Sequence, residues 1–247
     1  MTAQAHHRDS IGMSVFSFIV VGTLIALGVW QLQRRVEKHA LIAALNERLS
    51  AAPQPLPLAT RWNALTPEND EFRRVTFTAT FRAVSYARVY TSGSALRTDV
   101  ASLGSFVFAP AVLADGGTVV VNRGFVPEGA KGAEASHAPL TMTGYLRFPE
   151  KPGWITPAPD LNKGLWFARD HLDMARALSW GIVAPFYVDL EAPSPPSGVP
   201  KPGPLEVRLR DDHLQYAITW FALAAAVAIA FGFWLRGRAR AAPASQG

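Results

Sequence analysis

The sequence predicts an α+β membrane protein in which two transmembrane helices, forming a hairpin, flank one mainly antiparallel β domain outside the cytoplasm. Three observations predict it. Residues 10–33 and 214–235 carry no charged side chain, and each run is long enough for the roughly 20 apolar residues that a bilayer core needs. Between them, short runs alternate apolar and polar residues and are separated by Gly, Pro and Asp-Gly turns. The charged fraction is 17%, below the roughly 25% typical of soluble domains.

The elements follow in order. Residues 1–12 read as a cytoplasmic tail and 13–32 as the first span. Trp30-Gln31-Leu32-Gln33-Arg34-Arg35 follows the apolar run where a signal peptide would place a small-residue cleavage site, so the segment reads as an anchor. Residues 33–212 form the extracytoplasmic β-rich domain. It opens on a helix over 33–49, where Leu41, Ile42, Leu45 and Leu49 recur at helical spacing. Pro53, Pro55 and Pro57 end that helix. Strands are predicted over 74–82, 88–91, 105–110, 117–122, 141–147 and 185–190, with a turn at Asp115-Gly116-Gly117 and one helix within 170–179. Six prolines make 192–204 an extended loop. The strand pattern fits an antiparallel sheet or a partly open barrel.

Residues 214–235 form the second span, with aromatic residues at both ends, and 236–247 a basic cytoplasmic tail. Arg236, Arg238 and Arg240 place the C-terminus in the cytoplasm by the positive-inside rule, and two spans then place the N-terminus there too. Arg34, Arg35 and Lys38 pull the other way, but a domain this large translocates largely regardless of its charges. Gly22-x-x-x-Ala26 and the series Ala222, Ala226, Ala230 offer small faces on which the two spans can approach.

Composition excludes several chemistries. The chain has no cysteine, so disulfides, Cys-ligated zinc, iron–sulfur clusters and thiol catalysis are out. The net charge is +5, but the basic residues are scattered and form no stripe with interleaved aromatics, which speaks against nucleic acid. No metal-binding histidine pair or nucleophile elbow occurs, so the sequence reads as no enzyme. Asp170-His171 is the one acid–histidine dipeptide, and adjacent residues rarely form an acid/base pair.

Four motifs in order resemble those of the surfeit-locus family of cytochrome c oxidase assembly proteins. They are Leu27-Gly28-Val29-Trp30-Gln31-Leu32-Gln33-Arg34; Val121-Asn122-Arg123-Gly124-Phe125-Val126-Pro127; Gly144-Tyr145-Leu146-Arg147; and Asp212-His213-Leu214-Gln215-Tyr216-Ala217-Ile218-Thr219-Trp220-Phe221. The resemblance covers nearly the whole chain. Phe125 stands where the family commonly has Trp, and Asp211-Asp212 precedes the histidine where Asn is usual. The resemblance implies an assembly factor of a bacterial-type inner membrane, its main domain periplasmic. It implies binding of haem a, received from haem A synthase and passed to cytochrome c oxidase subunit 1.

It also directs attention to particular residues. His213 is the implied ligand of the haem iron, with Tyr216 and Trp220 three and seven residues on and assigned to its helical face. In a hairpin, Trp30, Gln31 and Arg34 reach the same depth as His213, and Arg34 has the geometry to pair with a haem propionate. The plainer reading of His213, Tyr216 and Trp220 is an interfacial aromatic belt, and of Arg34 a cation at the headgroups. Val121–Pro127 reads as a buried strand ended by a Gly124/Pro127 turn, with Arg123 available to a partner. A haem-free membrane scaffold of the oxidase is the alternative function, and a membrane-anchored enzyme a third.

Overall fold

A computed structural model of the chain describes residues 2–130, 132, 135–206 and 211–241. The side chains of His6 and His7, and residues 242–247 of the expected basic tail, lie outside this description. The chain divides into two compact units, Met1–Ile42 with Leu209–Gly247, and Ala43–Arg208.

The first unit is a pair of helices. Helix α1 runs without a break from Thr2 to Ser50, 49 residues and about 70 Å at the α-helical rise. It therefore contains both the expected first span and the helix expected after it. Within the second unit come two short helical pieces, α2 (Pro67–Asp70) and α3 (His171–Ala177), and in the first unit α4 (His213–Ala241) closes the chain. Both α1 and α4 are long and apolar enough to cross a membrane.

The two long helices run antiparallel. Phe18 meets Phe231 edge to face at 6.2 Å, Gly28 lies under the Phe221 ring, and Gln31 reaches His213, so one number rises as the other falls. Among the less exposed positions of α1, Ser14, Ser17, Val21, Leu24, Gly28 and Gln31 form a series in steps of three and four, with Val20 and Leu27 beside it. His213, Ala217, Trp220 and Ala224 do the same in α4. Such a seven-residue repeat selects the left-handed crossing of coiled coils. The small-residue faces expected at Gly22 and at Ala222, Ala226 and Ala230 follow a four-residue spacing, which belongs to the opposite crossing. They are not the contact: a Cβ on Gly22 would meet nothing within 4 Å, and the three alanines are exposed. The close approach is at Gly28, where a Cβ would stand 2.6 Å from Phe221 Cε1, and the buried alanines are Ala217 and Ala224.

The second unit is a barrel. Its strands are β1 (Gln54–Pro55), β2 (Arg74–Phe81), β3 (Ala87–Thr91), β4 (Gly104–Leu113), β5 (Thr118–Pro127), β6 (Leu140–Arg147), β7 (Leu165–Trp166) and β8 (Tyr187–Ala192). The order is β1-β2-β6-β8-β5-β4-β3-β7, and a further β2–β4 pairing closes five strands into a ring. Within that ring only β5–β8 is parallel. Strand β4 makes the closure possible by changing partners. Gly104–Phe108 pairs with β3 and Ala111–Leu113 with β2, with Pro110 in the gap between.

Packing follows from the alternation. One face of β2, Val75, Phe77, Ala79 and Phe81, turns into the barrel with Val119, Val121, Met142, Leu146, Phe186 and Val188. Trp62, on a 3₁₀ turn at Ala59–Ala64, joins this core, and its indole N–H donates to the Pro57 carbonyl at 2.8 Å. The barrel's outside carries a second core, where Phe106, Phe108, Val120 and Tyr187 pack against Met174 and Ala175 of α3 and Trp180. Strand β5 is thus covered on both faces, which explains its unbroken valine run. Each such fully buried side chain contributes on the order of 1.5–3 kcal/mol. Asp170 caps α3, accepting from the amides of Leu172 and Asp173, and the helix turns His171, Met174 and Ala175 inward.

One expectation needs correcting. Pro127 ends β5, as expected, but Gly124 does not belong to the turn; the strand runs through it. Gly124, at φ +119°, is needed because the backbone of the 192–204 segment lies against it. A Cβ there would stand 2.3 Å from the Lys201 carbonyl carbon. Phe125 and Lys201 exchange backbone hydrogen bonds of 3.0 and 2.8 Å, so the proline-rich loop is stitched to the strand.

Candidate functional site

Where α4 begins, the helix pair carries a cluster of polar side chains. Gln31, Arg35 and His39 recur every four residues on one face of α1. Asp211 and His213 meet them from the start of α4. The carboxylate of Asp211 does three things at once. It accepts from the His213 amide at 3.1 Å, satisfying a free donor of the first helical turn. It also meets His39 Nε2 at 2.6 Å and accepts from Arg35 Nε at 3.4 Å. Desolvation raises its pKa, but the His39, His213 and Arg35 contacts together hold it below the usual carboxylate range.

His213 itself is fixed by Gln31, whose Oε1 stands 2.8 Å from Nδ1. A carboxamide oxygen only accepts, so in the neutral imidazole this contact puts the proton on Nδ1 and leaves Nε2 as the lone-pair nitrogen. This is the state a metal-ligating histidine requires, one nitrogen held by a neighbour and the other open. Among the described residues, no group of three or more His, Asp or Glu is placed to hold a bare ion. A haem brings its own ring nitrogens and needs only axial side chains, so a lone positioned imidazole suits haem better than it suits a free metal.

The other residues singled out in the sequence divide. Trp220 lies on the seam with His213, and its indole N–H is buried without a hydrogen-bond partner. Tyr216 is 55% exposed and stands off that seam, because three residues of helix turn it away from His213 by about 60°. Trp30 is 47% exposed, with the Arg34 guanidinium 5.7 Å over its ring, and Arg34 also pairs with Glu37 at 2.9 Å. Of the five, His213 and Trp220 share a face, while Trp30 and Arg34 form a separate surface pair.

The two middle motifs meet on the barrel's outer face, the face that also carries Val120 and Tyr187. Asn122 Nδ2 donates to Asp189 Oδ1 at 2.6 Å, and Asp189 Oδ2 accepts from Arg147 at 2.9 Å. Arg147 also bonds Glu71 at 2.6 Å and lies 4.7 Å over the Phe72 ring. Burial pulls its pKa down, but Tyr187, Asp189 and Glu71 outweigh that and raise it. Arg123, buried and lying 5.4 Å over Phe81, has its pKa lowered by burial. It borders a groove of about 600 Å³ that is also lined by Tyr86, Arg88, Tyr90 and Lys163.

The dipeptide Asp170-His171 offers no reactive pair. Asp170 is spent on the α3 cap, and His171 is fully buried with Nε2 on the Ala184 carbonyl at 3.0 Å. The partners that the sequence reading missed are Asp211, Arg35 and His39 around His213, and Asp189 and Glu71 around Arg147.

Comparison with known proteins agrees with the motifs. The model of the SURF1 family matches residues 18–225. Surfeit locus protein 1 of Rattus norvegicus is 30% identical over 257 residues, covering 98% of this chain and 81% of its own. That of Homo sapiens is 32% identical over 233 residues, covering 87% and 75%. The SURF1-like protein of Monosiga brevicollis is 33% identical over 227 residues, covering 85% and 82%. With a match across both long helices and the barrel between them, the chain belongs to the SURF1 family.

Proposed function

We propose that the protein is a membrane-tethered assembly factor for cytochrome c oxidase that holds haem a at the start of α4, with His213 as iron ligand. The observation that carries the reading is the Gln31–His213 contact, which leaves Nε2 as the open nitrogen. The buried, unpartnered indole N–H of Trp220 on the same seam adds a donor in search of an acceptor. Bound haem a is cargo here, supplied by haem A synthase and destined for the haem-bearing subunit 1. The chain's own residues bind and orient. Gln31 sets the tautomer of His213, Asp211 fixes the first turn that carries it, and Arg35 and His39 hold Asp211. Both termini lie in the cytoplasm of a bacterial-type cell and the barrel in the periplasm, in keeping with the arginines that follow α4.

The test is an absorption spectrum of the full chain purified after co-expression with active haem A synthase. Wild type should carry haem a, His213→Ala should lose it, and Gln31→Leu should bind about 10- to 100-fold more weakly, as for other lost partners of metal-bound histidines. Wild type without haem would leave the haem-free scaffold. Normal oxidase activity in a deletion strain would remove the assembly role.

A further inference from the structure

Independently of the haem reading, we propose that a groove on the barrel unit docks an extended acidic segment of a partner protein, its carboxylates meeting Arg88, Arg123 and Lys163 beside the rings of Tyr86 and Tyr90. The groove, of about 600 Å³, lies wholly within that unit.

It exists because of how the barrel closes. Strand β2 pairs with β4 only over Phe81–Ala79 and Ala111–Leu113, so the first half of β4, with β3 beside it, runs on past the ring. One face of this extension is spent, because Ala87, Val89, Phe106 and Phe108 pack into the outer core. Alternation sends Arg88, Tyr90, Ser105 and Val107 to the opposite face, with Arg88 across from Val107 and Tyr90 across from Ser105. On β5 the inward series Val119, Val121 reaches the same face, and its next member is Arg123. The barrel's inner face thus continues beyond the ring, and there arginine and tyrosine stand where apolar side chains stand inside.

Charge and composition say what covers it. Arg88, Arg123 and Lys163 line the groove, and among the described lining residues Glu128 is the one acid. Arg88 donates to the Lys163 carbonyl at 2.7 Å, which uses one of the five N–H donors of a guanidinium. The exposed Lys163 meets Asp160 at 3.3 Å, a surface pair that competes only weakly with a partner's carboxylate. Burial lowers the pKa of Arg123 against the opposing influence of Tyr86, so an arriving carboxylate meets a cation already stripped of much of its water. Tyr86 and Tyr90 line the groove while remaining 53% and 42% exposed, and Tyr and Arg are the residue types that anchor protein–protein contacts. None of the described lining residues starts a helix, as a phosphate site commonly does, which favours a peptide over a phosphorylated small molecule.

The test uses the full chain in nanodiscs of zwitterionic lipid and the fluorescence anisotropy of short fluorescein-labelled peptides. In these Glu alternates with Val, Phe or Tyr, so that an extended backbone turns every carboxylate the same way. The proposal expects saturable binding within this panel, and binding at least about 10-fold weaker when Gln replaces Glu. Arg123→Met should weaken binding at least about 30-fold. Where that variant fails to fold, Tyr86→Ser combined with Lys163→Ser, both at exposed side chains, should weaken it about 5- to 10-fold with the melting temperature of wild type. Failure of every Glu peptide to bind overturns the proposal, as does equal binding of the Gln peptides. Binding that survives in the folded variants overturns it by placing the peptide elsewhere. Displacement by inorganic phosphate at the peptide's own concentration overturns it in favour of a small anion.

Discussion

Arg147→Met should destabilise the barrel severely while leaving its apolar packing nearly intact. The guanidinium is 7% exposed and lies between Asp189, also 7% exposed, and Glu71, 22% exposed, at 2.9 and 2.6 Å. Methionine keeps much of the aliphatic bulk over Phe72 but leaves two carboxylates behind without their cation. Stranding partners of a buried pair in this way costs about 3–5 kcal/mol. For a unit of this size each kcal/mol corresponds to about 2–4 °C, so the melting temperature should fall by roughly 6–20 °C. The measurement is thermal unfolding of the full chain in nanodiscs, followed by near-ultraviolet circular dichroism from the buried tryptophans. A triple variant, Arg147→Met with Glu71→Gln and Asp189→Asn, should recover much of the loss, because uncharged partners are far cheaper to leave unpaired. A drop of less than about 4 °C for the single variant, or no recovery in the triple, would refute the assignment of the network as a buried, interdependent cluster.

Two further outcomes follow from buried features of the same unit. Burial lowers the pKa of His171 from 6.5 to about 4 against the opposing contacts of the Ala184 carbonyl and Asp170. The unfolded chain therefore takes up this proton first, so the stabilising contribution is complete above pH 6.5 and is lost as pH falls towards 4. The difference amounts to about 3 kcal/mol, and urea midpoints measured from pH 7 to 4 should fall less steeply in His171→Met than in wild type. Parallel pH profiles would contradict this. Gly124→Ala should detach the proline-rich segment, since the new Cβ overlaps the backbone of Lys201 and Pro202 and strains a φ of +119°. A cost of at least about 2 kcal/mol is expected, with faster hydrogen exchange at the amides of Phe125 and Lys201. Unchanged protection of those amides would show that the segment is held elsewhere.

Much of the fold was legible because its signals are local. Val75, Phe77, Ala79 and Phe81 announce a half-buried strand by alternation, and Asp115-Gly116-Gly117 marks a hairpin turn, realised with Gly116 at φ +86°. What no local signal carries is which strands close the barrel. The β2–β4 pairing depends on β4 exchanging one partner for another around Pro110, and two-residue strands such as β1 and β7 are too short for a periodicity to register. Gly124 misled for a related reason. A glycine before a proline three residues on is ordinary turn chemistry, and only the distant Lys201 backbone shows that this one makes room for a neighbouring segment.

The candidate site divides along the same line, and the division says what kind of object it is. The residue type and position of His213 were visible, but its ring is held by Gln31, 182 residues away, and the first turn that carries it by Asp211, which His39 approaches across 172. Reading Tyr216 as its neighbour relied on an i to i+3 step, yet the seam follows the i+4 and i+7 positions, Ala217 and Trp220, and leaves Tyr216 outside. Asp211, part of the acidic pair that departs from the family motif, is the residue that ties the start of α4 to α1 through Arg35 and His39. A histidine at a membrane boundary is unremarkable alone. What sets this one apart is that three groups from the other helix, Gln31, Arg35 and His39, hold its ring and the turn that carries it.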